Sequence, residues 1–373
     1  MKRILIVFLL VAVSAFGVFA NGAQDAAGPI KIGVAGAHSG DLASYGLPSV
    51  NAAKLVVEMY NAKGGVLGRQ IELVIEDDQC KEEVASNTAA KEVGAGVVAV
   101  IGHICSGATE AALSIYKDSE VIAISPSSTK TSLTLGGMYP NFFRTIAHDD
   151  AQGLLAGTFV AETLKLKKVA VLHDKGAYGK GFAEACMAVL KDAGVEVVLF
   201  EGITVGAPDY SAVINKVGNS GAEGVIWGGY HPEASKLVTQ MKSKGMNIPF
   251  VSDDGVKDNT FIEVAKENAE GVYATGPQDT SSNPMAVKAI ADHVKAFGEE
   301  PGAFFLNAYA GTIAILNAIE KAGTTDYAKV VAALKSNYVE TPLGNISFDA
   351  KGDVIGFGFS VFQVKNGAFV ELK

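Results

Sequence analysis

Short β-branched runs alternate with stretches whose apolar positions recur at helical spacing along most of the chain. Residues 30–34 read as a strand and 50–61 as a helix that Gly64-Gly65 stops. Strands are predicted at 71–76, 97–101 and 121–124, with helices at 82–93 and 107–117 between them. The rhythm restarts with strands at 168–172, 195–200, 223–227 and 249–251, separated by helices at 179–192, 210–218 and 233–243. Such alternation means βαβ units and parallel sheets covered by helices on both faces. Two runs of these units predict two similar α/β lobes rather than one wide sheet. From Pro284 the pattern is mostly helical (284–297, 304–321, 326–335) and closes on a hairpin over 357–372 that turns at Lys365-Asn366-Gly367. No low-complexity linker follows the N-terminal segment, which favours lobes joined by several short crossings and suited to hinge motion.

With 373 residues, 49% hydrophobic and 19% charged, the chain can build two cores. A formal net charge of -9 argues against a nucleic-acid partner. At the N-terminus Lys2 and Arg3 precede an apolar run from Ile4, and Val18-Phe19-Ala20 offers small residues before a cleavage point. This is the layout of a secretory signal peptide, expected over residues 1–20. A membrane anchor is the competing reading, but the apolar stretch is marginal in length and carries Ser14 and Gly17. No later stretch is long and apolar enough to span, so the exported product is expected to be soluble. Export makes one disulfide available to Cys80, Cys105 and Cys186. Cys80 and Cys105 each follow a strand, and neighbouring strand ends could bring them within reach. Cys186 sits in a helical pattern as a small core residue, and three free thiols is the alternative.

In open α/β sheets, ligands bind beyond the carboxyl ends of the strands, so those loops are the ones to read. The first lobe offers Gly36 to Gly40 followed by Tyr45, then Gly102-His103-Ile104-Cys105-Ser106, then Ser125-Pro126-Ser127-Ser128-Thr129. The second offers His173 to Gly179, Gly228-Gly229-Tyr230-His231-Pro232, and Ser252-Asp253-Asp254-Gly255. Hydroxyls and helix N-terminal amides suit a carboxylate; aromatic rings with a carboxylate pair suit a cation. Together they describe a cleft for a zwitterion with an apolar side chain. Taken singly, Ser106 could cap the following helix, Tyr178 and Tyr230 could be cleft aromatics, and Asp254-Gly255 could be a turn.

Over residues 30–362 the chain resembles the periplasmic leucine/isoleucine/valine-binding proteins of ABC importers, in the type I periplasmic binding protein superfamily. The resemblance rests on Asn61-Ala62-Lys63-Gly64-Gly65, Gly102 to Ser106, His173-Asp174-Lys175 with Tyr178-Gly179, and Gly228 to Glu233, in order and at matching spacing. It implies two Rossmann-like lobes joined by a multi-strand hinge, one over 29–147 with 277–350 and the other over 148–276 with 351–373. It implies that Ser106 and the Thr129 amide hold the ligand carboxylate. The ammonium would go to the Ser127 carbonyl, the Thr129 hydroxyl and Asp254, between walls made by Tyr45, Ile104, Tyr178, Tyr230 and Phe304. It also implies a Cys80–Cys105 disulfide. Where the family commonly has Glu, this chain has Asp254, a methylene shorter, which leaves a larger pocket or room for a bridging water.

An enzyme is disfavoured. Gly33, Gly36 and Gly40 do not have the dinucleotide-binding spacing, and neither a nucleophile elbow nor a phosphate-binding loop is present. His103 lies close to Ser106 in sequence without an evident catalytic constellation. The six histidines (38, 103, 148, 173, 231, 293) lack metal-ligand spacing, so neither metal nor cofactor is expected. A transcription regulator of the same fold would carry a basic segment in place of the signal peptide, and a receptor would continue into a membrane helix. The expectation is a periplasmic, monomeric protein that binds a small apolar amino acid and delivers it to a membrane permease. A sensor for another amino acid or amide is the alternative.

Overall fold

A computed structural model describes residues 28–372; the expected signal peptide at 1–20 lies outside them. Five parallel strands form the first sheet: β1 (Ile30–Gly36), β2 (Ile71–Asp77), β3 (Ala99–Ile101), β4 (Ile122–Ser125) and β5 (Phe142–Arg144), in the order β2-β1-β3-β4-β5. Helices α1 (Ala43–Asn61), α2 (Glu82–Ala95) and α3 (Ser106–Asp118) connect them. After α4 (Asp149–Thr158) the plan repeats with β6 (Lys168–His173), α5 (Gly179–Asp192), β7 (Glu196–Gly202), α6 (Ser211–Ser220) and β8 (Gly224–Gly228). It continues with α7 (His231–Ser243), β9 (Phe250–Ser252), α8 (Asn259–Ala265) and β10 (Tyr273–Pro277). These strands run β7-β6-β8-β9-β10, the same order as the first sheet.

The chain then passes through α9 (Pro284–Phe297), α10 (Phe305–Ala322) and α11 (Tyr327–Ser336). A small sheet of β11 (Val339–Thr341), β12 (Gly344–Phe348) and β13 (Val354–Ile355) follows. The hairpin β14 (Phe359–Lys365) and β15 (Ala368–Glu371) adds antiparallel to β10, completing a seven-stranded second sheet. The backbone therefore crosses between the sheets three times, after β5, after β10 and after β13.

Period-two alternation explains the packing, because successive side chains leave opposite faces of a strand. Ile30, Ile32 and Ile101 pack with residues of α1, α9, α10 and α11, while Val100 and Ala123 pack with α2 and α3. In the second sheet, Leu172 and Trp227 face α6, α7 and α8, and Val171 and Ile226 face α5 and the end of α4. Central strands are buried on both faces and read as continuous apolar runs. The edge strand β2 is half exposed and mixes acidic residues into its pattern.

Cys80 and Cys105 are disulfide-bonded, with Cα atoms 5.5 Å apart, and Cys186 is free and buried. Their strands are not neighbours, however. β1 lies between β2 and β3, so the bridge reaches over the carboxyl end of β1. Beneath it runs a buried polar chain. His103 Nδ1 is 2.6 Å from Asp78 Oδ2, His103 Nε2 is 2.9 Å from the Tyr116 hydroxyl, and Tyr116 shares a hydrogen bond with Glu92. Burial pushes the Glu92 carboxyl up to about 8, against the bond from Tyr116 that favours its ionised form.

A buried acid that keeps its proton after the unfolded chain has lost it costs stability as pH rises, up to the folded pKa and no further. The unliganded protein is thus expected to melt lower at pH 8 than at pH 6.5, by up to about 1.4 kcal/mol per pH unit for each such group. Glu92→Gln should flatten that slope in a thermal melt series; an unchanged slope would remove Glu92 as a cause.

Candidate ligand-binding site

The carboxyl ends of both sheets face one cleft. At β1, α1 begins seven residues earlier than the helix predicted from Val50, although Pro48 lies inside it. Proline lacks only the amide that would reach Ser44, and burial of Tyr45, Ser49 and Val50 outweighs that loss. The extension sets Tyr45 on the first turn, facing the cleft. At β3, Gly102 has φ +137° and a Cβ there would stand 2.1 Å from the Ala35 carbonyl oxygen, so only glycine lets the 102–106 loop cross so close to β1. That loop leads into the N-terminus of α3, where Ser106 occupies the first turn and no side chain caps the helix. Its amides are thereby left to a ligand. At β4, the Ser125 hydroxyl accepts from the amides of Ser127 and Ser128, and the Ser127 hydroxyl donates to the Ile104 carbonyl at 2.8 Å, tying the two ligand loops together.

A small cavity lies between the lobes, lined by Tyr45, Ile104, Ser106, Ser127, Tyr178, Tyr230, Asp254, Gly255 and Phe304. Eight of the nine residues picked from the sequence are in this lining. Thr129 is not; it sits behind it, fully buried, with its carbonyl accepting from the Asp149 amide at 2.8 Å. The rings form a continuous wall. Tyr45 is centred 5.9 Å from Tyr230 and 5.8 Å from Phe304, and Tyr230 is 5.2 Å from Tyr178. Phe304, whose backbone takes the left-handed conformation at the start of α10, also borders an open groove at the hinge that contains Lys257 and Asp279.

Asp254 is 2% exposed rather than a surface turn. Its Oδ1 accepts from the Tyr178 hydroxyl at 2.5 Å and from Gln152 Nε2 at 2.8 Å. The Tyr178 hydroxyl in turn accepts from the Gly255 amide at 2.8 Å. Burial pushes the Asp254 carboxyl up to about 6, against those hydrogen bonds and the nearby Lys257 charge. Asp253 beside it accepts from the Gly229 amide at 2.7 Å and is pushed well above the carboxylate range by burial and by Asp254. The second lobe thus brings negative charge and the first brings amides and hydroxyls.

The cleft is shut. The Tyr45 hydroxyl donates to the Gly255 carbonyl at 2.5 Å, and Ser44 Oγ is 3.2 Å from His231 Nε2. Gly255, named in the sequence only as the end of the Ser252–Gly255 loop, lines the cavity, and Gln152, which sequence reading missed, holds Asp254 from behind it. Gln152 lies on α4, a helix with no clear periodic signal, and Gly255 acts through its backbone. Among the described residues, no group of three or more His, Cys, Asp or Glu could hold a metal ion, and no helix is long and apolar enough to cross a membrane.

A family model described as periplasmic binding protein matches residues 29–368. The leucine-, isoleucine-, valine-, threonine- and alanine-binding protein of Pseudomonas aeruginosa is 40% identical over 97% of this chain and 96% of its own. Among solved structures, a leucine-binding protein, LivK, of Thermotoga maritima superposes with a TM-score of 0.86 at 26% identity, covering 92% of this chain and 98% of its own. The branched-chain amino acid transporter substrate-binding protein LivJ of Streptococcus pneumoniae, in complex with isoleucine, gives 0.82 at 30% identity, covering 92% and 100%.

Proposed function

The chain belongs to the periplasmic binding protein family, and on that premise we propose that it captures a small apolar L-amino acid of the leucine, isoleucine and valine class and delivers it to the membrane permease of an ABC importer. It is a binding protein, not an enzyme. The observation that carries this reading is the pairing of two unlike half-sites across one cavity. Uncapped α3 amides with Ser106 stand on one lobe and the Asp254 carboxylate on the other, with aromatic rings between them.

In this account the ligand carboxylate takes the Ser106 hydroxyl and amide and the Thr129 amide. The ammonium takes the Ser127 carbonyl, the Thr129 hydroxyl and Asp254. The side chain lies against Tyr45, Ile104, Tyr178, Tyr230 and Phe304, which contributes roughly 1.5–3 kcal/mol for a leucine-sized group. Ligand docks on the first lobe, and closure adds the contacts of Tyr178, Tyr230 and Asp254, which are what bias the hinge toward its shut form. We take the lobes as 29–147 with 277–350 and 148–276 with 351–373, because α9 to α11 share the first sheet's core. The pairing of β13 with β12 supports a third crossing a few residues beyond that boundary, at about 356–358. Export through a signal peptide at 1–20, cleaved to give a periplasmic monomer, completes the proposal.

Thermal melting of ligand-stripped protein against the twenty amino acids tests it. Leucine, isoleucine or valine at a thousandfold excess over Kd should add about 4 kcal/mol and raise the melting temperature by roughly 6 °C. No shift with any amino acid would defeat the proposal, and a shift with another amino acid or an amide alone would reassign the ligand.

Phe304 sets the length of the pocket, since it alone among the side-chain walls also faces the hinge groove. Phe304→Ala is expected to weaken valine about tenfold or more, on the scale of lost apolar contact, while phenylalanine and methionine are weakened less or gain. Equal losses for all would show that Phe304 does not limit ligand length.

A further inference from the structure

The groove at the hinge holds about 520 Å³, an ordinary size for a small-molecule site, and takes its walls from both lobes. Leu343 and Phe357, the latter in the third crossing, pack in the first lobe's core. Phe362 and Phe369 come from the β14–β15 hairpin of the second sheet. Phe304 stands between this groove and the cleft cavity.

Lys257 reaches the groove from the loop after β9. Its stem crosses Gly276, where a Cβ would stand 2.1 Å from Lys257 Cδ and push the lysine aside. The ammonium lies 4.3 Å from the centre of the Phe362 ring. Among the described residues it makes no hydrogen bond and no ion pair. The carboxylates that face it are Asp254 and Asp258 in its own loop, Asp279 after β10 and Glu371 on β15. Three of them are engaged elsewhere. Asp254 accepts from Tyr178 and Gln152, Asp258 from the Thr260 amide, and exposed Asp279 from the Ser281 amide. Burial lowers the Lys257 pKa against the pull of all four. An ammonium with three donors, drawn out of water and left with a ring face, is a costly group that an anion would satisfy.

We propose that the hinge groove is a second binding site, for an apolar monocarboxylate of the medium-chain fatty acid class, whose carboxylate pairs with Lys257 while its chain lies along Phe362, Phe369, Phe357 and Leu343. Asp279 and Glu371 border the same groove and oppose a second negative charge, so a dicarboxylate is disfavoured. The occupant touches both lobes as they stand when the cleft is shut, and it shares Phe304 with the cleft cavity. It therefore binds the shut form best, and the acid and the cleft ligand favour each other's binding by the same factor. That coupling rests on the amino-acid reading above; the groove itself does not.

The test is calorimetric titration of the protein with octanoate, with and without saturating leucine. Octanoate should bind the leucine-saturated protein once per chain with a Kd of about 1 mM or tighter. Hexanoate and butyrate should be weaker by roughly fourfold for each methylene removed. Octanoate should tighten leucine by about fivefold or more, and leucine should tighten octanoate equally. Lys257→Met should weaken octanoate roughly 10–100-fold, in the range of a lost hydrogen bond to a charged group. Octanoate that leucine expels lies in the cleft, and that result, or no octanoate binding in the presence of leucine, would overturn the proposal without any variant having to fold. Parent-like octanoate affinity in folded Lys257→Met would overturn it too, and equal octanoate affinity with and without leucine would overturn the coupling. Lys257-dependent octanoate binding by a protein that binds no amino acid would leave the groove standing and remove the amino-acid reading alone.

Discussion

Asp254→Ala is expected to weaken leucine binding by roughly 30- to 5,000-fold, the range for truncating one partner of a buried, hydrogen-bonded charge pair. The carboxylate is buried, oriented by Tyr178 and Gln152, and positioned where the second lobe closes on the cavity. Removing it takes away the charge that faces the ammonium and leaves two polar side chains without their acceptor. Asp254→Asn separates those effects, because it keeps an acceptor for Tyr178 or Gln152 and loses only the charge. It should fold like the parent and still bind poorly. Asp254→Glu keeps the charge on a side chain one methylene longer and should bind within about tenfold of the parent, a methylene's worth of change. Parent-like leucine affinity in Asp254→Ala, measured by equilibrium dialysis, would mean that the ammonium lies elsewhere.

Arg144→Ala is expected to lower stability by about 3–5 kcal/mol, because it removes a fully buried cation and leaves the half-buried Asp353 and two loop carbonyls without their donor, and the melting temperature by roughly 4–7 °C. The guanidinium is fully buried at the end of β5, with Nε 2.5 Å from Asp353 Oδ1. Nη1 donates to the carbonyls of Ser128 and Lys130 at 3.2 and 3.0 Å, and Nη2 to the Thr134 hydroxyl at 2.5 Å. One side chain therefore fastens the ligand loop to the segment that carries the third crossing. The double variant Arg144→Ala with Asp353→Ala should recover part of the loss, since it removes the stranded carboxylate along with its partner. Leucine affinity should fall in both variants, because Ser127 and Thr129 flank the released Ser128. A melt of Arg144→Ala within about 2 °C of the parent would contradict this account of the loop.

What the sequence made readable follows the strength of local periodicity. Helices α5 and α9 begin and end where the pattern places them, each with a clear apolar stripe on one face. Helix α4 escaped for a physical reason. Gly153 and Gly157 let it lie against α5, where a Cβ would stand 2.6 Å from Ala185 Cβ and 2.8 Å from Val189 Cβ. The same small residues that permit this contact weaken the helical signal. With α4 went Gln152, which no strand-end rule could have recovered. Strands β5 and β10 to β13 were also missed; three of these five are only two or three residues long, and the other two are five residues with no alternation.

The site residues at strand ends were readable because parallel α/β topology sends such loops to one side of the sheet. Ser106, Tyr178 and Asp254 all arrive in the cavity by that rule. Two details needed coordinates. Strand order places β1 between the two cysteine-bearing loops, and the Tyr45 contact across the cleft is made to a backbone carbonyl.

The central claim is a zwitterion held between a helix N-terminus and Asp254. Isothermal titration of the protein with leucine, after unfolding and refolding to remove carried-over ligand, addresses it most directly. The account predicts one site per chain with micromolar or tighter affinity, abolished when the ligand's ammonium is removed, as in 4-methylpentanoate. Absence of heat with leucine, isoleucine and valine, or equal binding of the des-amino acid, would contradict it.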